Sequence, residues 1–153
     1  MVEQQSDRSA HTGTKTRRPG GTAPHRPAQP ITTVAAQRTP RVHTGASEFD
    51  RVLGGGLVAG QVVLVAGEPG VGKSTLLLEV ADRYARQHPQ AVVLYVSGEE
   101  SAEQIGVRAE RIGATSSQLL VADETDLGTV LGHIEHHNPQ LIVVDSVQTL
   151  ASP

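Results

Sequence analysis

From Arg41 onward, short continuous apolar runs alternate with amphipathic stretches, whereas residues 1–40 show no hydrophobic period. Gln61 to Ala66 (QVVLVA), Ala91 to Val96 (AVVLYV), Gln118 to Ala122 (QLLVA) and Leu141 to Val144 (LIVV) are such runs. Their length and β-branched content predict strands buried on both faces. Between them, Leu77, Val80, Ala81 and Tyr84 recur at helical spacing within a helix over about Lys73 to Gln87, with Pro89 just beyond. Ser101 and Gln104 have the spacing of a capping box, opening a helix that carries Ile105, Ala109 and Ile112 on one face and stops at Gly113. Leu127, Val130, Leu131 and Ile134 mark a further helix ending before Asn138-Pro139. Upstream, Ser47 is placed to cap a short helix from Glu48 to Leu53, with Asp50 in its first turn and Gly54-Gly55-Gly56 ending it. Strands alternating with helices define an α/β fold with a mostly parallel sheet, right-handed crossovers and ligands beyond the carboxyl ends of the strands.

Composition adds an asymmetry. Residues 1–45 hold seven Lys or Arg against Glu3 and Asp7, a charge of +5, while residues 46–153 hold six against fourteen carboxylates, a charge of −8. Residues 1–40 also hold five of the nine prolines. They have too little apolar surface to offset ordering entropy, so a disordered basic leader is expected there. Such a leader is either a solvated tail or a means of approaching polyanions. Phe49, Tyr84 and Tyr95 are the three aromatic residues, too few for a base-stacking platform. With no cysteine, disulfides and thiolate zinc sites are excluded. No apolar run reaches the ~18 residues of a membrane span. Residues 1–40 lack the apolar stretch of a secretory signal, although an Arg-rich, acid-poor leader is also the composition of an organelle transit peptide. The cytoplasm is the expected compartment, with no membrane partner.

Three stretches carry chemistry. Gly67-Glu68-Pro69-Gly70-Val71-Gly72-Lys73-Ser74 fits the phosphate-binding pattern G-x-x-x-x-G-K-S/T and is followed by Thr75. Glycines there let successive N–H groups point at phosphate oxygens, and the adjoining helix adds its positive end. Lys73 is a point charge for the β- and γ-phosphates, and the Ser74 hydroxyl a ligand for Mg²⁺. These residues predict ATP and Mg²⁺ as ligands, against the bland alternative of an ordinary glycine-rich turn. Asp145 ends the LIVV run, where a carboxylate holds Mg²⁺ or merely caps the next turn of chain. Glu99 and Glu100 come directly after the second run. Either can act on the attacking water or simply suit a helix start, with Glu99 favoured as the base and Glu100 as its support. His133, His136 and His137 have a spacing that binds zinc elsewhere, but they avoid the apolar stripe and read as a solvated face.

The strand-end Glu99 two α/β units before Asp145, and the stretch Thr44 to Gly56 (TGASEFDRVLGGG), resemble the RecA/DnaB/KaiC class of ATPases. More narrowly, LYVSGEESAEQIGVRAERIG (Leu94 to Gly113), ETDL (Glu124 to Leu127) and VVDSVQT (Val143 to Thr149) are similar to the bacterial RadA (Sms) family of DNA repair ATPases. The similarity covers about residues 41–153, which it identifies as the N-terminal part of a RecA-like ATPase domain. It implies a DNA-stimulated ATPase that promotes branch migration of recombination intermediates alongside RecA, on single-stranded or branched DNA, as a homo-hexamer. Gly67, Gly70, Gly72, Lys73, Ser74 and Thr75 then serve nucleotide and Mg²⁺, Glu99 catalysis and Asp145 the metal.

The family also carries a four-cysteine zinc finger ahead of this core, and the rest of the core plus a Lon-protease-like domain behind it. Neither has a counterpart in these 153 residues, so a truncated chain is expected, with DNA binding, ring assembly and turnover dependent on the missing parts. Two other readings stand beside the motor: a nucleotide-binding but inactive chain, and a KaiC-type regulatory ATPase.

Overall fold

The computed structural model describes residues 27–35, 39–68 and 71–151. The described residues divide between two units, 27–35 in one and 39–68 with 71–151 in the other. In the first, Ile31–Ala35 make a one-turn helix, α1, in which the Thr33 and Val34 N–H groups donate to the Pro30 carbonyl. The rest of the expected disordered leader lies largely outside the described residues.

The second unit is built on a parallel sheet of β3 (Val93–Ser97), β4 (Leu119–Asp123) and β5 (Leu141–Asp145) in the order β4-β3-β5. Between and before them run α3 (Lys73–Gln87), α4 (Ala102–Ile112) and α5 (Leu127–His137). Side chains alternate across β3. Val93 and Tyr95 cluster with Leu78, Ala81, Tyr84 and Ala85 of α3 and Ile105 of α4, while Leu94 and Val96 cluster with Val130 of α5. The expected α/β fold, a partial RecA-like core with helices on both faces of the sheet, is therefore present.

Local chemistry explains the helix ends. Ser101 Oγ accepts from the Gln104 N–H while Gln104 Oε1 accepts from the Ser101 N–H, closing the expected capping box. Gly113 stops α4 in the left-handed region at φ 74°. Asp126 caps α5 through the Thr129 N–H at 2.8 Å. Buried Asp82 of α3 accepts from Arg86 at 2.6 Å and from the Ser116 N–H at 2.9 Å, tying α3 to the segment that enters β4.

Two expectations need correction. The short helix, α2, runs Ser47–Val52 with Ala46 at its N-cap, so Ser47 lies inside it and caps nothing. Asp50 organises this entry instead. Its buried carboxylate accepts from the Thr44 N–H at 3.0 and 3.1 Å and from the Thr44 hydroxyl at 2.8 Å. The second correction is larger: Gln61 to Ala66 is not a buried strand. An antiparallel pair of two-residue strands, β1 (Arg41–Val42) and β2 (Leu57–Val58), ends just before it. Gln61 is spent on the turn after β2, its N–H donating to the Val58 carbonyl and its Oε1 accepting from the Val58 N–H. Beyond that turn the segment joins no ladder among the described residues, and Val62 and Leu64 are 94% and 80% exposed. An apolar run becomes a strand only where a neighbour satisfies its N–H and C=O groups.

Candidate functional site

The phosphate-binding motif leads directly into α3. Gly72 stands at the N-cap with φ 89°, a conformation glycine adopts without strain. The first N–H groups of a helix have no intrahelical acceptor, so this end of α3 presents donors and partial positive charge. Ser74 and Thr75 lie in that turn. Lys73 folds back over the loop, its ammonium donating to the Gly67 carbonyl and, at 2.9 Å, to the Glu68 carbonyl. Gly67 is exposed, yet a Cβ there would lie 3.2 Å from Val71 Cγ2 and 3.4 Å from Lys73 Cδ. Val71 and Glu68 are exposed. Pro69 and Gly70, also expected to touch nucleotide, lie outside the described residues.

The carboxylates arrive from the sheet. Parallel pairing sets Ser97 of β3 beside Asp145 of β5, so the two strands end together. Tyr95 Oη donates to Asp145 Oδ2 at 2.8 Å and lies 3.4 Å from the Ser74 carbonyl. The strand tip and the first turn of α3 thus lie on either side of one phenol oxygen. Burial raises the Tyr95 phenol well above its ordinary range, and the bond to Asp145 raises it further, so the group stays a protonated donor.

After β3 the chain turns on the buried Ser97 hydroxyl, which accepts from the Glu100 N–H at 3.0 Å and more weakly from the Glu99 N–H at 3.4 Å. The two glutamates then part. Glu99 is exposed, and its Oε1 accepts from the Ser146 hydroxyl at 2.8 Å, directly beyond β5. Glu100 is half-buried and paired with Arg108 of α4. Gly98 is the point of closest approach: its N–H donates to the Asp145 carbonyl at 3.1 Å, and Thr149 packs where its side chain would be.

Lys73, Ser74, Glu99 and Asp145 therefore converge on one end of the sheet. The donor set suits the expected ligands. Hydroxyl and carboxylate oxygens from Ser74 and Asp145 match a hard cation, and a helix N-terminus with a lysine matches polyphosphate. Tyr95, Ser97, Arg108, Ser146 and Thr149 were not singled out by sequence reading. Only Tyr95 left a signal, as a phenol alternating with Ser97 in an otherwise apolar run. Elsewhere, His133 lies 3.7 Å from Glu124 and its ring stacks on His137 at 6.1 Å. Among the described residues no helix is long and apolar enough to cross a membrane.

A family profile described as an AAA domain matches residues 26–152, and the chain belongs to that family of P-loop proteins. Within it, the chain is similar to proteins named DNA repair protein RadA. It is 59% identical to that of Mycolicibacterium smegmatis over 130 residues, which cover 85% of this chain and 28% of the relative. The Mycobacterium tuberculosis protein is 53% identical over 146 residues, 94% of this chain and 29% of the relative. The Aquifex aeolicus protein is 50% identical over 123 residues, 80% of this chain and 27% of the relative. The chain thus spans under a third of the length of these relatives.

Proposed function

We propose that this chain is the nucleotide-binding part of a DNA-dependent ATPase that acts in recombinational DNA repair. The observation that carries the reading is the Tyr95 phenol bonded to Asp145 with the Ser74 carbonyl 3.4 Å from the same oxygen, so that the first turn of α3 and a strand-end carboxylate lie side by side. Lys73 and the N–H groups of α3 would hold the phosphates of ATP, with Gly67 through Thr75 as the cradle. Ser74 and Asp145 would hold Mg²⁺, which when bound supplies charge neutralisation at the phosphates. Glu99 is the general base: exposed and oriented by Ser146, it has an oxygen available to accept the proton of an attacking water. Glu100, occupied by Arg108, is structural.

The names of the relatives supply a setting in DNA repair, and we read residues 41–153 as the front of a RecA-like ATPase domain. Branch migration on single-stranded or branched DNA, cooperation with RecA, a homo-hexameric ring and a cytoplasmic location all belong to this proposal for the whole protein. A second reading, a chain that binds nucleotide without turning it over by itself, is favoured by the exposed Gln61 to Glu68 segment leading into the P-loop.

Calorimetric titration with ATP and Mg²⁺ tests the nucleotide site. Lys73→Ala removes the charge facing the phosphates and should weaken binding about tenfold or more, since charge-assisted hydrogen bonds are worth ~1.5–3 kcal/mol. Equal affinity in wild type and variant would overturn the assignment.

A further inference from the structure

Tyr95 is 1% exposed, in the middle row of β3 on the face that packs against α3. Phenylalanine would fill the same space, so packing alone accounts for the ring and leaves the hydroxyl unexplained. A buried phenol without a partner is costly, and this one has a single close partner, Asp145 Oδ2 at 2.8 Å. Its register neighbour on β5 is Val143, also on the α3 face, so Asp145 two residues later emerges on that same face. The phenol reaches up the sheet to meet it, and the Ser74 carbonyl lies 3.4 Å from the same oxygen.

We propose that Tyr95 is a positioning residue for Asp145, holding that carboxylate toward the first turn of α3 in the orientation needed to receive Mg²⁺ with nucleotide. The inference rests on the nucleotide reading above and deepens it. With Oδ2 tied to the phenol, rotation about the Asp145 side chain is restricted, and Oδ1 is the oxygen left for a cation or its water. In this role Tyr95 acts through Asp145 rather than on nucleotide or metal itself. Its contribution is preorganisation, since an unrestrained carboxylate must lose that rotation when the cation binds.

The test compares the whole chain with Tyr95→Phe and Asp145→Asn, each checked for native circular dichroism, by titrating ADP with EDTA and then over a range of Mg²⁺ concentrations. Tyr95→Phe should bind ADP in EDTA as the wild type does, but need about fivefold to tenfold more Mg²⁺ for half-maximal enhancement, the size of one ordinary intramolecular hydrogen bond. Asp145→Asn should show at least that loss, and adding Tyr95→Phe to it should cause little further change. An unchanged Mg²⁺ requirement in Tyr95→Phe, beside a raised one in Asp145→Asn, overturns the proposal and leaves the metal assignment standing. An unchanged requirement in both overturns the assignment of Asp145, and the proposal with it.

A second measurement needs no nucleotide and covers a Tyr95→Phe variant that fails to fold. The chain has no Trp and two Tyr, so Tyr84→Phe leaves Tyr95 as its one tyrosine emitter. A carboxylate accepting from a phenol quenches that emission, and Asp145→Asn in this background should brighten it. Unchanged emission would show that the contact is not formed and would overturn the proposal.

Discussion

The Ser146 hydroxyl donates a 2.8 Å hydrogen bond to Glu99 Oε1, joining the ends of two adjacent parallel strands across 47 positions of sequence. The adjacent Glu100 is held by Arg108 instead, so one acidic pair has two fates. In a family-length chain, Glu99→Gln should lower ATP turnover by roughly a hundredfold or more, the range of lost general-base catalysis, while ATP affinity stays within about twofold. Glu100→Gln should instead cost about 1–2 kcal/mol of stability, by leaving Arg108 without its charged partner, with turnover retained. Steady-state ATPase assays and denaturant melts of both variants check the division. Normal turnover in Glu99→Gln would move the base elsewhere.

Gly98 admits no side chain. A Cβ there would lie 1.9 Å from Thr149 Oγ1 and 2.6 Å from Thr149 Cβ, below any real contact distance. Gly98→Ala must therefore push the Val147–Thr149 turn away from the site, and should destabilise the chain by about 1–3 kcal/mol, as overpacking does. Urea denaturation measures this. A melt unchanged from wild type would mean that the turn moves freely and does not brace Glu99.

Asp50 predicts a pH dependence. Burial would raise its carboxyl, but the Thr44 backbone and side-chain hydrogen bonds, with the His43 charge and the Gly45 N–H, outweigh burial and hold it below its ordinary value. A depressed carboxyl contributes stability that is complete above the unfolded value of about 3.9 and fades as pH falls through the folded one. Asp50→Ala should cost roughly 2–3 kcal/mol at neutral pH, by leaving buried Thr44 donors unpaired. The difference from wild type should shrink in melts carried out below about pH 4. A constant difference down to about pH 2 would contradict the ionised role.

Charge distribution predicts how this chain meets DNA. Residues 1–45 carry +5 and residues 46–153 carry −8, so under the proposed DNA-dependent role the basic stretch would supply the phosphate contacts. Anisotropy titrations with single-stranded DNA should show weak binding at low salt, lost near ~0.15 M salt and on deletion of residues 1–40. Tight binding at physiological salt by the deleted chain would place the DNA surface within the core.

Where local chemistry decides, sequence was sufficient. The Ser101–Gln104 capping box, the Gly113 stop and the alternation of three parallel strands with α3, α4 and α5 arise from turn residues and apolar spacing, which act within a few positions. The P-loop pattern likewise needs only its own glycines and the helix beginning at Lys73. Relations across long separations were not legible. Tyr95 meets Asp145 across 50 positions, Ser146 orients Glu99 across 47, and Arg108 takes Glu100 through the packing of α4. No local propensity encodes which of two adjacent glutamates finds a cation. The same limit explains Gln61 to Ala66, whose composition is that of a strand but whose backbone joins no ladder among the described residues. Strand character lies in the pairing of two chains of hydrogen-bonding groups, and a single run of apolar residues supplies one of them.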